Sequence, residues 1–221
     1  MKWPSHLALV RHGQSAFNKM KEDKREHPPL TDLGRLQARK TGEFLKRTIP
    51  VPDVLITSPY IRCRETLKEI IASWPELQER PVFTEELIRE RNIGLAIIYC
   101  DWRLFYVFHH EQKELYDRVG EYEYCYPQGE DITGVRRRGR AWLGTLTREF
   151  AEQCVLSVMH HVSILAARGN LERMSPEAYL ELNEKNPPKN CSVTIYKGHP
   201  ELGKNGKLVL ERYNSLPTEG E

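Results

Sequence analysis

The chain has 221 residues, 33 lysines and arginines against 31 aspartates and glutamates, and a formal net charge of +2. That length fits one larger domain spanning 1–221, and the near balance of charge gives no global reason to expect a nucleic-acid partner. No apolar run approaches the roughly 20 residues of a membrane span, and no long apolar leader segment stands at the N-terminus.

The elements are read in chain order. Residues 6–10 are short and apolar and end in a glycine turn, which predicts a buried strand. Thr31 is a predicted N-cap for a helix to about Lys46, with Leu33, Leu36, Phe44 and Leu45 as candidates for burial. "VPDVLITS" (51–58) predicts a second strand, and Pro59 fits the first turn of a helix running to about Ala72. "RPVFTEEL" predicts a third, weaker strand. Residues 95–126 are irregular and rich in aromatics, and are expected to form a lid insertion. Most of its rings, from Tyr99 and Phe105 to Tyr124 and Tyr126, are expected to form its core. Asp131 is a predicted N-cap for a long helix to about Glu152. "CVLSVMH" (154–160) has the clearest pattern of a buried strand, with another helix behind it. "CSVTIYK" (191–197) and "KLVLERY" (207–213) predict late strands, and "SLPTEGE" a frayed tail.

Strands alternating with helices predict an α/β fold: a doubly wound, mostly parallel sheet with helices on both faces. In such sheets ligands sit beyond the carboxyl ends of the strands. Arg11-His12-Gly13 follows the first strand and His160 follows "VLSVM". Two strands therefore aim a histidine at one edge of the sheet.

A neutral, oriented histidine is a nucleophile. If it attacks phosphorus, the phosphoryl oxygens need a cationic cradle, which the planar fork of arginine provides. Arg11 is one candidate. Arg62 and Arg64 in "SPYIRCRET" (58–66) are two more. Gly13 would let backbone amides approach the phosphate, and Gln14, Ser15 and Asn18 stand in the same loop as possible donors. A carboxyl group must protonate the leaving alkoxide and later take a proton from water. Glu90 in "LIRERNIG" is a candidate, beside Glu85 and Glu86.

Several other features have plainer readings. "RRRGR" (136–140) is expected to be a solvated helix face. His109-His110 lacks partners at metal-ligand spacing, and no metal site is expected. Five widely spaced cysteines without a Cys-x-x-Cys pair predict reduced thiols and a cytoplasmic protein.

Arg11-His12-Gly13 with Ser15 and Asn18 resembles the Arg-His-Gly signature of the histidine phosphatase superfamily, the phosphoglycerate-mutase-like clan. Four further segments resemble it in order: "LTDLG" (30–34), "SPYIRCRET", "RERNIG" and "VMHHVSI". The resemblance selects Arg62 over Arg64 and Glu90 over its neighbours. It implies that His12 takes the phosphoryl group, that Arg11, Arg62 and a protonated His160 hold its oxygens, and that Glu90 is acid and then base. It also implies that no metal or other cofactor is needed.

Two positions depart from the pattern. His161 stands where the family often has glycine, and could add a donor at the pocket edge or merely cover it. Asp131 stands where serine is usual, and caps a helix equally well. Between Gly94 and Pro127 there is no adjacent arginine pair of the kind the mutase pattern carries. A phosphomonoesterase acting on a phosphorylated small molecule is therefore expected. The alternatives are a phosphoglycerate mutase using 2,3-bisphosphoglycerate and a phosphate-binding scaffold without turnover.

Overall fold

The structure is a computed structural model, and it describes residues 2–16, 28–99 and 102–217. Six strands form one sheet: β1 (His6–Arg11), β2 (Val54–Thr57), β3 (Val82–Thr84), β4 (Cys154–Met159), β5 (Val193–His199) and β6 (Lys207–Ser215). Their order is β3-β2-β4-β1-β5-β6. The β3–β2, β2–β4 and β4–β1 pairs are parallel, and β5 and β6 add an antiparallel edge. The chain leaves β1 for β2 and β3, and β4 then inserts beside β1. This places the ends of β1 and β4 at the reversal of strand order, where a doubly wound sheet opens a crevice.

The strand period of two divides the core. Ala8, Val10, Leu156 and Val158 face one side, against Phe44, Leu45, Leu67, Ile70 and Trp74. Those residues come from helices α1 (Asp32–Thr48) and α2 (Ile61–Ser73). Leu7, Leu9 and Val155 face the other side, against Trp142, Leu143, Leu146 and Ile164. These belong to α5 (Ile132–Glu149) and α6 (His161–Leu171). Helices thus cover both faces.

Thr31 and Asp131 cap their helices as the sequence predicts, accepting from the amides of Gly34 and Gly134. Leu33 and Leu36 correct the expectation of burial. Both are exposed, because the buried face of α1 runs through Gly34, Ala38, Thr41 and Leu45 instead. The helix after β2 begins at Ile61, so Pro59 precedes its first turn.

Residues 94–126 hold a 3₁₀ segment (Gly94–Tyr99) and the short helices α3 (Trp102–Phe108) and α4 (His110–Val119). Phe105, Tyr106 and Tyr124 are buried together with Ala96 in a cluster separate from the sheet's two cores. Phe108 is exposed. The helix α7 (Pro176–Lys185) follows α6. Among the described residues, no helix is long and apolar enough to cross a membrane.

Candidate active site

The three parallel strands at the centre each end on a polar side chain. His12 follows β1, Ser58 follows β2 and His160 follows β4. The backbone ladder continues one residue beyond the strands, with His12 N donating to Met159 O (3.0 Å) and Ser58 N to Val158 O (3.0 Å). All three side chains are buried. The His12 and His160 rings meet edge-on, with centroids 5.2 Å apart.

Arg62, in the first turn of α2, lies between the two histidines. Its Nε is 3.2 Å from His12 Nε2, and its Nη2 is 3.2 Å from His160 Nδ1. A guanidinium only donates, so both ring nitrogens present lone pairs. The opposite nitrogens carry the protons. His12 Nδ1 donates to Gly13 O (2.8 Å), and His160 Nε2 donates to Ser58 Oγ (2.8 Å). Both imidazoles are held neutral. Burial, then Arg62, pushes the pKa of each well below the usual histidine value. Burial and Arg62 thus favour a neutral His160, against the expectation of a protonated ring, and a cation there has first to gain a proton. Tyr60 supports the group from beneath, with its ring centroid 4.7 Å from Arg62 Cζ. Arg64 is exposed.

The adjacent Cys63 thiol lies 3.4 Å from His160 Nε2. Burial pushes its pKa up to about 12, with Arg62 opposing, so it stays protonated and is a poor nucleophile. Cys125, Cys154 and Cys191 are also free thiols.

Arg11 ends β1 and donates through Nη1 to Pro188 O. Its Nε is buried with no hydrogen-bond partner. Burial lowers its pKa, with Glu90 opposing.

Glu90 arrives from the loop after β3. Its Oε1 accepts from Arg91 N (2.8 Å) and from Val162 N (3.2 Å) in the first turn of α6. That seats the carboxyl on a helix N-terminus beside His160. Glu85 is engaged elsewhere, accepting from Leu87 N (2.9 Å), and Glu86 is exposed. His161 opens α6. Its Nε2 is buried without a hydrogen-bond partner, and burial lowers its pKa against the opposing pull of Glu90.

The rest of the Arg-His-Gly loop is used differently from its sequence reading. Gly13 N donates to Thr66 Oγ1 (3.0 Å), not into the pocket, and Thr66 Oγ1 in turn donates to Arg62 O (2.7 Å). A Cβ on Gly13 would lie 2.5 Å from Gly34 O. Gly13 is thus required by contact with α1. Gln14 N donates to Gln37 Oε1 (3.0 Å), and its side chain accepts from Thr31 Oγ1 (3.0 Å). Ser15 is buried and forms an isolated bridge with Leu30. Asn18 lies outside the described residues.

Sequence reading alone missed Ser58 and Thr66. Ser-Pro at the end of a strand and threonine four residues after Arg62 were the available signals. It also misjudged "RRRGR". Arg137 and Arg140 are exposed, but Arg138 is nearly buried beneath the Glu90 loop. Arg136 donates to Tyr122 Oη (2.6 Å) and to Gly169 O (2.6 Å). Among the described residues there is no group of three or more His, Cys, Asp or Glu side chains placed to hold a metal ion.

The fold is shared with solved structures. A mycobacterial glucosyl-3-phosphoglycerate phosphatase, solved with inorganic phosphate, superposes with a TM-score of 0.75 at 18% identity. The match covers 96% of this chain and 98% of that one. The fold is therefore of the phosphoglycerate-mutase-like α/β type. In sequence, the chain is 29% identical to the phosphoglycerate mutase-like protein AT74H of Arabidopsis thaliana, over 96% of this chain and 79% of the relative. It is 31% identical to a 2,3-bisphosphoglycerate-dependent phosphoglycerate mutase of Nitrobacter winogradskyi, over 79% and 84% respectively. The family model for the histidine phosphatase superfamily, branch 1, matches residues 7–211, and the chain belongs to that superfamily.

Proposed function

We propose that the protein is a metal-independent phosphomonoesterase that hydrolyses a phosphorylated small molecule through a phosphohistidine on His12. The observation that carries this reading is the tautomer of His12. Its proton is held at Nδ1 by Gly13 O, so the Nε2 lone pair stands beside the Arg62 fork.

In the first step His12 Nε2 bonds to phosphorus as the ester P–O bond breaks. Glu90 gives its proton to the departing alkoxide. In the second, Glu90 takes a proton from water, the water oxygen bonds to phosphorus, and the P–N bond breaks to return neutral His12 and inorganic phosphate. Arg62, Arg11 through its open Nε, and His160 once protonated face the charge on the phosphoryl oxygens. A dianion beside His160 favours that protonation, reversing the effect of Arg62.

Hydrolysis is favoured over mutase chemistry by the distribution of cations. Arg103, Lys113 and Arg118 are exposed, and Lys113 is paired with Asp117. Arg91 is held by Glu130 O and Tyr124 O. None of these forms a second buried clamp for a carboxylated substrate.

The test is hydrolysis of p-nitrophenyl phosphate in EDTA, with rapid quench to trap an acid-labile phosphoenzyme. Turnover should persist in EDTA, and the label should vanish in His12→Ala. Wild-type labelling in that variant overturns the assignment. Assays with 3-phosphoglycerate, with and without 2,3-bisphosphoglycerate, read out the mutase alternative: isomerisation that outpaces phosphate release would favour it.

A further inference from the structure

A second groove opens at the opposite edge of the sheet. Trp3, which precedes β1, lies on one side of it, and the turn leading into β6 on another. The ends of α5 and α6 complete the walls. The six residues of β1 separate this edge from His12, roughly 20 Å at ~3.3 Å per strand residue. The groove encloses about 720 Å³. That is within the roughly 300–1,000 Å³ of small-molecule sites.

Its floor is apolar. Leu143 and Leu208 are buried there, and the Trp3 ring is half-exposed. Its rim is cationic. Arg140 stands on α5 and Arg173 just beyond the end of α6, while Lys204 lies on the turn before β6 and Lys207 at its start. All four are exposed, and none has an ion-pair partner among the described residues. The carboxylate in the lining, Glu172, is already neutralised. Its two oxygens accept from Arg168 Nε and Nη2 at 2.8 Å each, and Oε1 also accepts from Tyr196 Oη. Four like charges thus line one groove with an apolar floor, and an anion among them relieves their repulsion. Gly203 and Gly206 have φ of +73° and +75°, which shapes the turn that presents Lys204.

We propose that this groove binds a nucleoside-phosphate-like ligand, with a flat ring against Trp3 and phosphate oxygens among the cationic side chains of the rim. A ring on an aromatic platform adds affinity that a bare anion lacks. Four cations suit the higher charge of a diphosphate better than that of a single phosphate. α6 begins beside the catalytic histidines and its C-terminal end, Leu171, lines this groove.

The experiment follows the Trp3 indole N–H signal by heteronuclear NMR. The chain has four tryptophans, and Trp3→Phe assigns the signal. The probe is adenosine 5′-(α,β-methylene)diphosphate, whose P–C–P bridge cannot be hydrolysed. The control is methylenediphosphonate, the same anion without the ring. The Trp3 signal should shift saturably below about 1 mM nucleotide. The diphosphonate should bind at least about tenfold more weakly. Arg140→Ser/Lys204→Ser should weaken nucleotide binding about tenfold or more without changing p-nitrophenyl phosphate hydrolysis. In the wild-type protein, added salt should weaken binding as well, which keeps the test open if the double variant folds poorly. An unmoved Trp3 signal, equal affinity for the diphosphonate, or salt-independent binding overturns the proposal.

Discussion

Arg62 Nε donates to His12 Nε2 at 3.2 Å, so the guanidinium engages the lone pair that the proposed chemistry uses. A phosphoryl group entering the pocket has to take over that donor. In the proposed mechanism the arginine that holds His12 Nε2 then becomes the clamp on the charge. Arg62→Ala should lower the rate of phosphoenzyme formation by about 10²–10³, the usual loss when a preorganised donor is removed. Arg64→Ala, at an exposed position two residues further along the helix, should change it little. A larger effect from Arg64 would contradict the register. Single-turnover quench measures both.

Gly13 and Gly34 set the height of the loop above α1. A Cβ on Gly13 would stand 2.5 Å from Gly34 O, and one on Gly34 would stand 2.1 Å from Gln14 O. The atoms approached are backbone, and they cannot rotate away. Gly34→Ala should therefore cost about 2 kcal/mol or more, lowering Tm by roughly 5 °C or more for a chain of this size. It should also lower activity in the protein that remains folded, since Gln14 follows His12 by two residues. Thermal unfolding and activity at low temperature separate the two effects.

That pair also shows what the sequence reveals and what it hides. The strand-end histidines follow from apolar runs that stop at a polar residue, and such runs are local. The two caps are local too. The Gly13–Gly34 contact joins residues 21 positions apart, and nothing in either segment alone announces it. Leu33 and Leu36 misled because leucine on a helix suggests burial, yet close helix–sheet packing selected the small face of Gly34 and Ala38. Arg138 misled in the opposite sense. A run of arginines suggests solvent, but the alternation of the helix turned Arg138 inward to a ring of acceptors. The charge state of His160 depends on burial and on Arg62, both tertiary.

Arg138 holds the Glu90 loop in place. Its Nη1 donates to Leu87 O (2.6 Å), its Nη2 to Glu90 O (3.1 Å), and its Nε to Glu130 Oε1 (3.0 Å). Glu130 Oε2 closes the frame by accepting from Asn92 N (3.0 Å). Arg138 is thus a positioning residue for the proposed acid. Arg138→Lys keeps the charge and loses the fork. It should slow phosphoenzyme formation from an alkyl phosphate about tenfold or more while affecting p-nitrophenyl phosphate much less, because only the alkyl ester needs the acid. A purely structural role would slow both equally.

The depressed histidines make stability depend on pH. In the folded chain His12 and His160 stay neutral well below pH 6.5, whereas in the unfolded chain each takes up a proton near that value. The unfolded state therefore binds more protons just below pH 6.5. Their contribution is complete above that pH and is lost as pH falls towards the folded pKa values, by up to about 1.4 kcal/mol per pH unit for each histidine. Tm should fall as pH drops from neutral towards 5. His160→Asn should flatten that dependence, and inorganic phosphate should flatten it further in the wild type by favouring the protonated ring. A Tm insensitive to pH over that window would contradict burial of two neutral imidazoles.

Glu90 tests the proposed mechanism most directly. Its carboxyl accepts two backbone amides, from Arg91 and from Val162, so it is held at the N-terminus of the helix that follows His160. If it protonates the leaving group, its importance has to follow the basicity of that group. An alkoxide needs the proton as the bond breaks, whereas p-nitrophenolate disperses its charge and leaves unaided. Glu90→Gln preserves the size of the side chain and an oxygen for the two amides, so position is changed little. It should slow phosphoenzyme formation from an alkyl phosphate by roughly 10²–10⁴, the range of general acid–base catalysis, and from p-nitrophenyl phosphate much less. The second step needs a base to take a proton from water whichever ester was cleaved. Dephosphorylation should therefore slow for both substrates, and p-nitrophenyl phosphate should give a burst of phenolate equal to the enzyme concentration, followed by a slow steady state. Rapid-quench kinetics on the two substrates reads each step separately. Equal losses in the first step would show that Glu90 orients the phosphoryl group without donating a proton, and the acid would then have to be sought elsewhere around the pocket.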